Sequence, residues 1–94
     1  MTFPPYVTRE MSPDEAIAHV LRWLDTYPSD EMLGRAALTQ LEPLVDWHWR
    51  VVEAELLRQL AARADLRAVV RECWFDASVP DEVVDRMLAA AAEP

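Results

Sequence analysis

Apolar side chains recur every three or four positions along most of this chain, the spacing of amphipathic helices. Ile17, Val20, Leu21 and Leu24 form one such stripe and predict a helix from about Pro13 to Thr26, stopped by Pro28. Met32 or Leu33, then Ala37, Leu38 and Leu41, predict a second helix from about Asp30 to Leu41. Pro43 either ends it or opens the third. The third runs to at least Leu60 and has two apolar faces. Val45, Trp49, Val52, Leu56 and Leu60 make one; Leu44, Trp47, His48 and Val51 make the other. Only Asp46, Arg50 and Glu53 are left as a fully wetted strip. A helix that is apolar on most sides is enclosed by others, so the pattern makes this the central helix.

Leu66, Val69, Val70 and Cys73 continue the helical period over Asp65 to Trp74. Asp65 is a candidate N-cap for a separate helix. One helix of more than about 30 residues is unusual in so small a domain, so a bend is expected near Ala64. A last helix is predicted from about Pro80 to Ala91, burying Val83, Val84, Met87 and Leu88.

Helix-start chemistry agrees with this layout. Ser12-Pro13-Asp14-Glu15, Pro28-Ser29-Asp30-Glu31 and Val79-Pro80-Asp81-Glu82 each precede an apolar-periodic run. The first turn of a helix has unpaired N–H groups and partial positive charge, which acidic side chains complement. Proline fits there because its missing N–H is not needed. Ser12 and Glu15 also have capping-box spacing. The predicted fold is all-α: a compact bundle of four to five helices over residues 12–94, preceded by an extended Pro-rich arm over 1–11. Pro4-Pro5 favours polyproline II, and Phe3, Tyr6 and Val7 give the arm something to bury. It either packs across its own bundle or straps onto another subunit or partner.

Composition narrows the class. The chain has 94 residues, enough for one domain and one core. No apolar run approaches the roughly 20 residues that span a bilayer. A single cysteine, Cys73, allows no intrachain disulfide and fits a reducing cytoplasm. The formal net charge of −8 opposes general affinity for nucleic acid or anionic membrane, and suits a basic partner. All nine basic residues are arginine, and lysine and asparagine are absent. Both missing residues have A/T-rich codons, which points to a high-GC bacterial genome or its phage.

Few residues suggest chemistry. Arg63, Arg67 and Arg71 recur every four positions, which on one helix aligns like charges at a small energetic cost. Trp74 follows three residues later, within reach of a cation–π contact with Arg71. The column is either a docking strip for an acidic group or the counterpart of acids such as Asp81, Glu82 or Asp85 on other helices. Glu15, His19 and Trp23 form a second column: Trp23 is a binding anchor if exposed and core if not. Trp47 and Trp49 face nearly opposite sides of a helix and cannot form one aromatic cage. His48 shares a face with Glu55, a weak signal for a base dyad without a nucleophile. His19, His48 and Cys73 lack metal-ligand spacing, and the Glu-x-x-His pattern of di-iron bundles is absent. No cofactor, metal or catalytic site is expected.

The expected function is that of a small acidic cytoplasmic module that binds another protein, of immunity, antitoxin, inhibitor or adaptor type. The candidate partner-binding residues are Arg63, Arg67, Arg71, Trp74, Trp23 and His19. A homodimer is compatible with four tryptophans. The alternatives are a helix-turn-helix regulator using the three arginines, and a structural subunit or chaperone of an enzyme complex.

Overall fold

In a computed structural model, residues 6–28 and 30–92 are described. Helix α1 covers Pro13–Thr26. A 3-10 turn, Asp30–Met32, leads into the short α2, Leu33–Ala36, and then a π-helical turn, Ala37–Leu41. That turn runs without a break into α3, Glu42–Ala62. Helix α4 covers Ala64–Arg71 and α5 covers Asp81–Ala91. The described residues are all-helical with connecting loops. The Pro4-Pro5 segment, Phe3 and the Ser29 of the second helix start lie outside them.

The local chemistry explains the first start. Ser12 Oγ accepts the Glu15 N–H at 3.2 Å, with Pro13 opening the helix. At α5 the start shifts by one residue: Pro80 is the N-cap, extended at φ −59° and ψ 144°. Asp81 and Glu82 occupy the first turn.

Helix α3 is the hub. It packs against α1, α4, α5 and the π turn. Its buried line is Leu44, Val45, Val52, Leu56 and Leu60. Val20, Trp23 and Leu24 of α1, Leu66, Val69 and Val70 of α4, and Val83 and Met87 of α5 join it in the core. The radius of gyration, 12.1 Å, matches a single packed domain of this length.

Four expectations are corrected. Leu38 is 66 % and Leu88 42 % exposed, not buried. A π hydrogen bond spans five residues rather than four, so the turn slips the register: Leu38 swings out while Thr39 and Gln40 swing in. Helix α3 is not enclosed on its second face. Leu44 is buried there, but Trp47 is 41 % and Val51 68 % exposed. The bend expected near Ala64 is present, with Arg63 extended at φ −127° and ψ 113° between α3 and α4. Arg63 therefore holds the N-cap position expected for Asp65.

The described part of the arm packs on its own bundle. Val7 is buried, and its N–H donates to the Thr39 carbonyl at 3.0 Å. The Arg9 guanidinium sits 5.5 Å from the Trp47 ring centre, partly covering an otherwise open aromatic face.

Candidate functional site

The arginine column does not form as one face. Arg63 lies outside α4, which puts it out of line with Arg67 and Arg71. Its guanidinium bonds to Asp25 at 2.7 Å and to Asp65 at 2.8 and 3.0 Å. Arg67 Nη1 donates to the Leu60 carbonyl at 2.7 Å, closing the exposed C-terminal end of α3. Arg71 Nη1 donates to the Ala91 carbonyl and does the same for α5. Each guanidinium is thus held by the chain's own acceptors, which are Asp25, Asp65 and helix-end carbonyls rather than Asp81, Glu82 or Asp85. The Arg63 side chain holds the Asp65 carboxyl below its usual range, with the Leu66 N–H adding a bond at 2.8 Å.

Trp23 and His19 are core residues. Trp23 is 3 % exposed and stacks obliquely on Tyr27, ring centres 4.8 Å apart. His19 Nδ1 and Gln40 Oε1 lie 2.7 Å apart. Gln40 Nε2 donates to Thr39 Oγ1 at 3.1 Å, and that hydroxyl donates to the Arg35 carbonyl at 2.7 Å. This buried polar chain ties α1 to the π turn. Buried polar atoms are tolerated when so satisfied. His48 differs: its Nε2 is buried without a hydrogen-bond partner among the described residues. Glu55, its expected dyad partner, instead accepts from Arg58 and from Gln59. No group of three or more metal-ligating side chains converges among the described residues.

Trp74 stands apart from the other candidates. It is 87 % exposed, the largest exposure of any big apolar side chain described. It lies beyond the end of α4, and Arg71 is turned to α5, so the expected cation–π pair is not made. The Trp74 loop is nevertheless pinned. The Trp74 N–H donates to Glu42 Oε2 at 3.0 Å, and the Asp76 N–H to Asp46 Oδ1 at 2.9 Å. Asp76 then accepts the Ser78 N–H at 2.9 Å, and Val79, which follows, is 3 % exposed. Cys73 and Phe75 both pack against the core. Neighbours on either side pointing in leave Trp74 pointing out.

The ground around Trp74 is negative. Glu42, Asp46, Glu72 and Asp76 lie beside or within its loop. Burial pushes the Cys73 thiol up, and the charges of Glu42, Asp46 and Glu72 push it further. Burial also raises the Asp46 carboxyl, against the Asp76 N–H bond that lowers it; the charges of Asp76 and Glu42 raise it again. Trp74 is therefore a fixed aromatic projection on an acidic base. The sequence placed it on the arginine face; only the loop path shows its real neighbours.

No protein-family model matches this chain, and neither a curated protein nor a solved structure matches it.

Proposed function

We propose that this chain is an acidic helical docking module, of immunity, inhibitor or adaptor type, that anchors a basic protein through Trp74. The observation that carries the reading is a tryptophan 87 % exposed on a loop whose backbone is tied to Glu42 and Asp46. Tryptophan is the side chain most enriched at binding hot spots. An anchor already fixed in place loses less freedom on binding than a mobile one. The surrounding carboxylates favour a partner whose apolar slot is rimmed by arginine or lysine, and the net charge of −8 speeds its approach.

The test compares wild type and Trp74→Ala as immobilised baits for host lysate, washed at low salt and at about 0.5 M salt, where surface charges are screened. The expected result is one basic protein retained stoichiometrically by wild type, released by salt and lost with the variant. Equal retention by both baits, or retention of nothing by either, sinks the reading.

A further inference from the structure

A concavity open to solvent lies over the π turn and shares no residue with the Trp74 loop. Its volume is about 580 Å³. That is within the size range of small-molecule sites. Tyr6, Tyr27, Met32 and Leu38 give it apolar walls over the edge of the buried Trp23, and Gly34, Arg35 and Thr39 complete the lining. The π turn builds this cleft by forcing Leu38 outward, and such turns recur at functional sites. Tyr6, Tyr27 and Leu38 bring exposed apolar surface together around this one concavity.

Arg35 is the sole cation of the lining. Its guanidinium has no hydrogen-bond or ion-pair partner among the described residues; only its backbone carbonyl is engaged, by Thr39. This sets it apart from Arg58, Arg63, Arg67, Arg71 and Arg86, all of which bond to the chain's own acceptors. Unengaged positive charge at the edge of an aromatic cleft, in a chain otherwise dominated by acids, selects an anion with an apolar body. Gly34 leaves room for it: a Cβ placed there meets nothing within 4 Å.

We infer that this cleft binds a small aromatic carboxylate, its ring against the exposed side chains of Tyr27 and Leu38 and its carboxylate on Arg35. The binding is non-covalent, by stacking, apolar burial and a charge-assisted fork.

Calorimetry of the full chain with 2-naphthoate, and with uncharged 2-naphthalenemethanol, tests it. Two variants accompany the wild type: Arg35→Met, which keeps the stem and removes the charge, and Gly34→Phe, which fills open space. Circular dichroism establishes that both are folded. The expected result is saturable binding of naphthoate by wild type, tighter than the alcohol. Arg35→Met weakens naphthoate by about tenfold or more, the loss expected for a charge-assisted bond, and leaves the alcohol unchanged. Gly34→Phe abolishes both. Naphthoate binding no tighter than the alcohol, or unaffected by Gly34→Phe, overturns the assignment. So does a capped Trp-Asp peptide that binds where naphthoate does not, since the occupant is then a protein segment.

Discussion

The Val7 amide donates to the Thr39 carbonyl at 3.0 Å, taking the place that the amide of residue 43 fills in an unbroken α-helix. Residue 43 is proline and has no N–H to offer. The helix continues through it, with the preceding turn widened to π geometry and the arm supplying the missing donor. A proline inside a helix thus becomes the mooring for the N-terminal arm.

Pro43→Ala restores a competing donor at that point. The Val7 amide is then expected to exchange with deuterium about fivefold faster, in keeping with loss of a hydrogen bond that contributes about 1 kcal/mol. Hydrogen exchange read by NMR decides it; an unchanged Val7 rate means that the arm does not depend on the proline.

Trp23 and Trp74 should differ sharply in what they contribute to stability. Trp23→Ala opens the core and is expected to cost about 3–5 kcal/mol. Trp74→Ala removes a side chain that is 87 % exposed and is expected to change stability by no more than about 0.5 kcal/mol. Urea unfolding of both variants is the measurement. A large loss for Trp74→Ala would make that residue structural and undercut its role as a surface anchor.

Arg63 stabilises the break between α3 and α4 through Asp65 and Asp25. The Asp65 carboxyl titrates below its ordinary value of 3.8 because of the Arg63 bonds. A depressed folded-state value means stability that is present above the ordinary value and lost as pH falls through the depressed range. Arg63→Met is expected to lower stability at pH 7 by about 1 kcal/mol, since Asp25 and Asp65 are partly exposed and screened. The gap from wild type should close as pH falls below 3.8. A gap that persists into strong acid would mean that packing of the side-chain stem, not the ion pair, is what was removed.

Asp46 has the opposite sign. Its folded-state carboxyl is raised above 3.8, chiefly by burial, so its ionisation opposes folding as pH rises through that window. Asp46→Asn retains an oxygen for the Asp76 N–H and removes the charge beside Asp76 and Glu42. The variant should match or exceed wild-type stability at pH 7 and show a flatter response as pH rises above 3.8. Thermal unfolding across that range checks it; a clear loss at pH 7 would show that the charged acceptor is needed to hold the Trp74 loop.

Much of this protein was set by the spacing of its apolar residues. The stripe Val20 and Leu24, the line Val45, Val52, Leu56 and Leu60, and the pairs Leu66–Val69 and Val83–Met87 are buried where the helical period puts them. Ser12 caps α1 as its chemistry requires. These are local matters: a side chain's face follows from its place in the turn, and caps act within a few residues. Contacts across long stretches of chain decided the rest. Leu38 leaves its expected face because one π turn slips the register, at the point where Val7 bonds to Thr39 and His19 meets Gln40. The arginine column dissolved because Arg63 found Asp25, which lies 38 positions away in the chain. Trp74, the most exposed large apolar residue among those described, stands on a loop whose backbone Glu42 and Asp46 tie to α3. Periodicity reports which residues leave water, whereas the pairing of distant polar groups depends on how the helices come together.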